Sequence, residues 1–475
     1  MRNLTLLTDL YQLTMMAGYF GSGKTEQHSC FDLYFRRLPF AGGFCLAAGL
    51  QIALEYLEDL RFGEDEIEYL SSVGLFSSDF LEWLKDFRFQ GEVWAVPEGS
   101  LVFPGEALLR VEAPLPQAQL VESALLNIIN FQTLVATKAA RVVGAASGGT
   151  VLEFGLRRAQ GIDGAMAASR AAFIGGCHAT SNTLAGSLYG IPVKGTHAHS
   201  WIMSFPSEID AFRAYAHNFP TTCTLLVDTY DTLESGVPNA IQVGNELREN
   251  GHTLLGIRLD SGDLGELSRA ARKMLDEAGF SETKIVASND LDEYQIEKLL
   301  SEGACIDIWG VGTNLVTCKD EPALGGVYKL AAAGPNAQRM QPRIKVSSNP
   351  IKTTVPGRKQ TYRLFDSNGA PIGDVISLTS ESPPVVGEKI PSFSLSQNRW
   401  QELCPENVTP LLEKVFENGR TTRDMPPLSE SRNRSLQSLE SLPQEHKTLR
   451  QPGPYWVGVS RPLWELRREM LENLA

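Results

Sequence analysis

Two histidines stand two residues apart in Gly195-Thr196-His197-Ala198-His199-Ser200, and they are two of only seven in the chain. On an extended strand, residues two apart share a face, so both imidazoles would point the same way. That arrangement suits three chemistries: metal ligation, phosphoryl-group handling, or ordinary core packing. Other polar groups close short apolar runs nearby. They are Arg157 and Arg158, Asp228 and Asp231, Asp260 to Asp263, Asn289 and Asp290, and Gly312 to Asn314. Guanidiniums, carboxylates, amides and glycine-flanked hydroxyls are the groups that bind anions and sugars.

The elements that must carry them form a regular series. Apolar, β-branched runs at Val151–Leu156, Val193–Thr196, Thr224–Asp228, Leu254–Asp260, Lys284–Ser288 and Ile306–Gly312 alternate with helical patterns. Such alternation predicts parallel strands in an α/β sheet or barrel. Six successive strands with polar tips on one rim match a (β/α) barrel whose active site lies at the strands' C-terminal ends. Local capping accounts for part of the pattern. Asp231 with Glu234, Asp263 with Glu266 and Asp292 with Gln295 have the spacing of helix N-caps. Asp228 and Asp260 precede those caps and are not explained by them, so they are the carboxylates expected to do chemistry.

Before this region, residues 1–118 mix helical periods (Leu4–Met16, Ile52–Leu60, Phe76–Phe87) with strands at Phe31–Phe35 and Gly91–Val96, predicting an α+β domain. Residues 119–330 form the expected α/β barrel domain. Residues 331–475 are strand-rich and proline-rich, and the polar stretch 420–455 is expected to wrap the surface or be partly ordered.

Composition excludes several classes of function. A net charge of −13 opposes general binding to nucleic acid or to anionic membranes. Seven scattered cysteines without a Cys-x-x-Cys pair fit reduced thiols in a cytoplasmic protein. The N-terminus has no continuous apolar run that would make a signal or a span. Gly18 to Thr25 satisfies the phosphate-loop pattern G-x-x-x-x-G-K-[ST]. Its mechanism needs a strand before the loop and a helix after it, whereas here a helix precedes and a strand follows. The second alternative, a barrel metallohydrolase built on His197 and His199, needs later histidines on strand tips. His217, His252 and His446 do not fall there. His197 is expected in the core, and His199 on the polar rim, where it could accept a phosphoryl group.

The ordered set Thr8–Thr14 (Thr-Asp-Leu-Tyr-Gln-Leu-Thr), Phe35–Phe40, Glu153-Phe154-Gly155-Leu156-Arg157-Arg158, Gly195–Ser200, Arg258-Leu259-Asp260-Ser261-Gly262-Asp263, Gly310-Val311-Gly312-Thr313 and Tyr455–Ser460 resembles the nicotinate phosphoribosyltransferase family over nearly the whole chain. The resemblance implies an irregular α/β barrel with a second mixed α+β domain, built from the N-terminus and part of the C-terminal region. It also implies a homodimer with shared active sites. The implied reaction transfers the phosphoribosyl group of phosphoribosyl pyrophosphate to nicotinate. Nicotinate mononucleotide and pyrophosphate are formed with ATP hydrolysis coupled, a C–N bond-forming ligase of NAD synthesis using Mg2+.

Residue roles follow from the same resemblance. Tyr11, given by the partner subunit, and Phe154 would sandwich the nicotinate ring, with Arg258 and Thr196 near its carboxylate. Asn182 stands where the related nicotinamide-using enzyme has an aspartate, which favours an acid substrate. Asp260 would contact the ribose or its magnesium, with Asp228 second. The 5′-phosphate would lie at the loop ending in Gly312 and Thr313. Ser261, Gly262 and Asn289 are further contacts for the phosphoribosyl substrate, and Arg157 would reach the pyrophosphate or nicotinate end. His199 would be the phosphohistidine. His178 departs from the family pattern, and no role is assigned to it.

Overall fold

The computed structural model describes residues 3–474. The chain divides into two compact units, one of residues 135–322 and one of the residues up to 134 together with those from 323 on.

The 135–322 unit is built on a six-stranded, wholly parallel sheet. Its strands are β1 (Thr150–Glu153), β2 (Ala179–Thr180), β3 (Thr224–Leu226), β4 (Gly256–Leu259), β5 (Lys284–Ser288) and β6 (Ile308–Val311). They lie in the order β2-β1-β6-β5-β4-β3, and a single parallel bridge from Thr180 to Val193 extends the β2 end. Val151, Leu225, Ile257, Leu259, Ile285, Ala287, Trp309 and Val311 are all fully buried. That is the apolar content expected of a sheet covered on both faces.

The helices between strands start where local capping predicts. Asp231 accepts from the Leu233 and Glu234 amides at 3.0 and 2.8 Å, Asp263 from Glu266 at 2.9 Å, and Asp292 from Gln295 at 2.8 Å. Each such bond satisfies an amide that the helix itself cannot. A buried ion cluster fixes the back of the unit. Lys138 lies 2.7 Å from Glu293 and 2.8 Å from Asp320, and Arg141 lies 2.8 Å from the other Glu293 oxygen.

The second unit holds two larger sheets. The seven-stranded one runs Gln341–Pro342, Gly326–Gly334, His28–Phe35, Leu109–Pro114, Glu92–Ala95, Glu413–Glu417, Arg420–Thr421. The six-stranded one contains Lys359–Phe365, Pro371–Leu378 and Val457–Ser460. Lys359 reaches Asp32 of the first sheet at 2.7 Å, a buried pair joining the two.

Several expectations are corrected. The first helix spans Leu10–Gly21, starting and ending later than the helical period at Leu4–Met16. Gly18 to Thr25 therefore passes from a helix through a turn into strand His28–Phe35, the inverse of a phosphate loop. Val193–Thr196 is not a strand, because only Val193 pairs and residues 194–198 are irregular. Within 420–455, Leu428–Ser441 is a helix. Among the described residues no helix is long and apolar enough to cross a membrane.

Where the ladder ends, His197 intervenes. The Leu226 amide on the free edge of β3 donates to His197 Nε2 at 3.3 Å, and the ring packs edge-on against Tyr215 with centroids 4.6 Å apart. Nδ1 makes no hydrogen bond of ordinary geometry, although the Ala198 backbone is near enough to favour a proton on the ring. Burial dominates and lowers the imidazole pKa from 6.5 to about 4, with the charge of Arg258 adding to the effect.

Two outcomes are expected. Lys24 is exposed in the turn, so Lys24→Ala should leave activity and nucleotide binding intact; loss of nucleotide binding would restore the phosphate-loop reading. For His197 the folded pKa is depressed. Its stabilising share is therefore complete above about pH 6.5 and is lost as pH falls toward 4, up to about 3 kcal/mol. His197→Gln keeps an acceptor for Leu226 without a titrating ring. Urea unfolding of this variant between pH 6.5 and 4 should show a shallower acid loss than wild type, and equal slopes would refute the assignment.

Candidate active site

The rim at the C-terminal ends of β3, β4 and β5 is organised around one guanidinium. Arg258 and Asp260 are two apart in an extended segment, so their side chains leave β4 on the same side. Arg258 Nη2 donates to Asp260 Oδ1 at 2.9 Å, Nε to Ser288 Oγ at 2.9 Å, and Nη1 to Thr196 Oγ1 at 3.2 Å. Ser288 Oγ also donates a short bond to Asp260 Oδ1. Burial pushes the Asp260 carboxyl up, but the Ser288 bond, then Arg258 and finally His199 outweigh it and hold it below the ordinary carboxylate value. Asp260 is the anion of this rim.

A second carboxylate underlies the turn that follows β4. Asp228 Oδ2 accepts from the Asp260 amide and the Ser261 hydroxyl, both at 2.7 Å. Gly262 completes that turn at φ 76°, where a side chain would be strained. Asp228 Oδ1 is buried and has no partner. Such an oxygen normally has a donor or a cation, so it points to a ligand.

An aromatic face lies beside the guanidinium. The Phe154 ring centroid is 5.8 Å from Arg258 Cζ, and the ring covers Gly310 so closely that a Cβ there would meet it at 2.7 and 2.9 Å. The turn carrying Phe154 is set by Glu153, which is buried. One of its oxygens accepts from the Gly155 amide; the other accepts from Ser169 at 2.8 Å and Thr180 at 2.5 Å. Phe154 is thus held from behind and stopped in front.

His199 opens the helix His199–Met203. Its Nδ1 lies 3.1 Å from Thr229 Oγ1 and its Nε2 3.7 Å from Asp260 Oδ2, with the side chain 38% exposed. The two histidines therefore diverge. His197 Nε2 is committed to Leu226, so the pair does not present two imidazoles to one ion. Among the described residues, no three His, Cys, Asp or Glu side chains group as metal ligands.

The structure thus gathers Phe154, Thr196, His199, Asp228, Arg258, Asp260 and Ser261 on one rim. Gly312 joins them, since a Cβ there would lie 3.1 Å from the Phe154 carbonyl oxygen. Three other residues are placed differently. Asn182 is buried, its oxygen capping the helix Thr183–Tyr189 through the Ala185 amide at 3.2 Å and its nitrogen donating to Ser169 at 3.2 Å. Arg157 is exposed in the turn Leu156–Arg158. Tyr11 belongs to the other unit, where it is 49% exposed on the helix Leu10–Gly21.

Comparison with known proteins is decisive at this point. Residues 6–130, 150–358 and 358–467 match, respectively, the N-terminal domain, the family profile and the C-terminal domain of nicotinate phosphoribosyltransferase. The chain belongs to the nicotinate phosphoribosyltransferase family. It is 45% identical to the nicotinate phosphoribosyltransferase of Bacillus subtilis over 99% of this chain and 96% of that one. The Homo sapiens enzyme is 38% identical, over 97% and 95%. The crystal structure of human nicotinic acid phosphoribosyltransferase superposes with a TM-score of 0.86 at 35% identity, covering 98% of this chain and all of the other. The fold alone is shared with a nicotinate-nucleotide pyrophosphorylase of Pyrococcus furiosus, at a TM-score of 0.71 and 22% identity over 92% and 96%.

Within this nicotinate phosphoribosyltransferase family member, four supporting residues escaped the sequence reading: Ser288, Thr229, Glu153 and the contact role of Gly310. Ser288 carried a weak signal as the polar end of an apolar strand. Phe154 gives the sharpest test. Gly310→Ala should displace the ring and raise the KM for nicotinate about tenfold, with a smaller effect on phosphoribosyl pyrophosphate. Steady-state kinetics with each substrate varied would show this, and an unchanged nicotinate KM would remove Phe154 from the pocket.

Proposed function

We propose that this chain transfers the phosphoribosyl group of phosphoribosyl pyrophosphate to the ring nitrogen of nicotinate, releasing pyrophosphate and forming nicotinate mononucleotide, with ATP hydrolysis coupled. The observation that carries the reading is the guanidinium of Arg258 beside the Phe154 face. Arginine has five N–H groups, and the three bonds to Asp260, Ser288 and Thr196 leave two. Two N–H groups at the edge of an aromatic platform suit a flat ring bearing a carboxylate. Asn182, uncharged where the related nicotinamide-using enzyme carries an aspartate, is in keeping with an acid substrate, although its side chain is committed to Ala185 and Ser169.

Positive charge develops on the ribose as the bond at C1 breaks, so a carboxylate near that carbon lowers the barrier. Of the two candidates, Asp228 has the bare buried oxygen, whereas Asp260 Oδ1 is already held by Arg258 and Ser288. The ribose or its magnesium is therefore assigned to Asp228 first, with Asp260 Oδ2 beside it. Mg2+ bound there would neutralise pyrophosphate charge. The 5′-phosphate is assigned to Gly312 and Thr313, with Asn289 and Gly262 lining the same rim and Arg157 free to meet pyrophosphate from solvent.

His199 is the proposed phosphoryl acceptor. Thr229 covers Nδ1, leaving Nε2 toward Asp260 and the rim. The order of strands in the parallel sheet is cyclic in sequence, which supports an irregular barrel with its seam between Val193 and β3 spanned by His197. Exposed Tyr11 supports a homodimer in which it completes the partner's pocket, and the protein is proposed to act in the cytoplasm.

Nicotinate mononucleotide formation, followed with and without ATP, tests the reading. Wild type should form product from nicotinate and phosphoribosyl pyrophosphate and be stimulated by ATP. His199→Ala should retain ATP-independent turnover and lose the stimulation. No product from wild type under any condition would overturn the function; intact stimulation in the variant would overturn only the phosphohistidine.

A further inference from the structure

Directly after β5 the backbone enters a conformation that side-chain-bearing residues rarely adopt. Asn289 has φ 117° and Asp290 φ 42°, and both are exposed at the rim. Consecutive strained residues persist only where their surroundings over-determine them. Three restraints do so here. Upstream, Ser288 is held in register with Gly310 of β6. Downstream, Asp292 caps the helix Glu293–Ser301, whose first residue is clamped by Lys138 and Arg141. Between them stands Asn314. It is 7% exposed and follows the Gly310–Thr313 loop. Its Nδ2 donates to the carbonyls of Asp290 at 2.6 Å and Leu291 at 3.2 Å.

We propose that Asn314 is a positioning residue that ties the Asn289–Asp290 turn at the tip of β5 to the Gly310–Thr313 loop at the tip of β6, so that both meet one polyanionic substrate at a fixed spacing. The inference rests on the phosphoribosyl pyrophosphate reading above, because it is the phosphoribosyl substrate that touches both tips. One carboxamide has two N–H groups, and both are directed at main-chain oxygens on the far loop. Without them the strained turn relaxes toward ordinary dihedrals and carries Asn289 out of line. The aromatic platform and Arg258 have further anchors in Glu153, in Thr196 and in the Ser288–Gly310 register, so the turn depends on this tie more than they do. Loss of Asn314 should thus act chiefly on one substrate.

The test uses the full-length chain in steady-state kinetics with each substrate varied. Asn314→Ala should raise the KM for phosphoribosyl pyrophosphate about tenfold, with the nicotinate KM and the kcat at saturation changed by less than about twofold. Asn314→Asp is nearly isosteric but sets a carboxylate against two carbonyl oxygens. If donation is the role, it should be worse than alanine; if mere packing is the role, it should be better. Asn314→Ser, which keeps one donor, should fall between wild type and alanine. Equal changes in both KM values, or aspartate outperforming alanine, would overturn the proposal. So would failure of both the alanine and serine variants to fold, since Asn314 would then hold the fold and not the turn. Wild-type turnover, measured in the same series, separates failure of this inference from failure of the reading beneath it.

Discussion

The contact on which the rest of the rim depends is the pair Arg258–Asp260. A guanidinium with only 14% of its side chain exposed must find anionic and neutral acceptors or destabilise the fold. Here it finds them on three separate segments: Asp260 on its own strand, Ser288 at the end of β5, and Thr196 beyond the Val193 bridge. One side chain therefore sets the relative positions of two strand tips and the irregular segment that carries Thr196. Ser288 adds rigidity by donating to Asp260 while accepting from Arg258. A network in which each member is satisfied by the others has few alternative arrangements. That is what a site needs if it is to hold reacting groups without reorganising.

The carboxylates divide their work according to their partners. Asp260 has one oxygen saturated and the other facing His199, so its charge is spread into the rim. Asp228 uses one oxygen to shape the Asp260–Gly262 turn and leaves the other bare within the protein. A buried anionic oxygen without a donor is costly. A hydroxyl or cation placed against it, as the proposed function requires, would offset that cost. In the proposed function the same residue thus has one oxygen for the turn and one for the ligand.

How much of this could be read from the chain depends on the range of each interaction. The caps at Asp231, Asp263 and Asp292 were legible because donor and acceptor lie within three residues of each other. Asp228 and Asp260 were legible by subtraction, as acidic residues at strand ends that no cap explained, and the family motifs led to Arg258, Phe154 and Thr196. The contacts of Ser288, Thr229 and Asn314 were not, because their partners lie about 20 to 30 residues away on other segments, and a polar residue at a strand end does not by itself name its partner. Periodicity located β5 to the residue but overran β3 toward the rim and β4 and β6 mainly at their starts, since apolar residues such as Val227, Leu254 and Ile306 lie beyond the paired ladder. It invented a strand at Val193–Thr196 for the same reason: the apolar signal was present but the pairing partner was absent. Within the polar run 420–455, Leu428, Ser431 and Ser435 seat a helix whose other face is solvated, too weak an apolar stripe for periodicity to mark.

The two histidines show why spacing alone cannot assign chemistry. Sharing a face requires an extended backbone, and the chain leaves the strand before reaching either of them. His197 turns inward, where its ring accepts from Leu226 and is kept neutral by burial and by the nearby charge of Arg258. A neutral ring is the form that such an acceptor must have, so the cation at the centre of the rim also secures the edge of the sheet. His199 turns outward, with one nitrogen against the Thr229 hydroxyl and the other toward the Asp260 carboxylate. The same Arg258–Asp260 pair thus opposes protonation of His197 through its arginine and faces His199 with its aspartate. Two histidines separated by one residue therefore meet opposite ends of a single ion pair, one bonded within the fold and the other open to the rim.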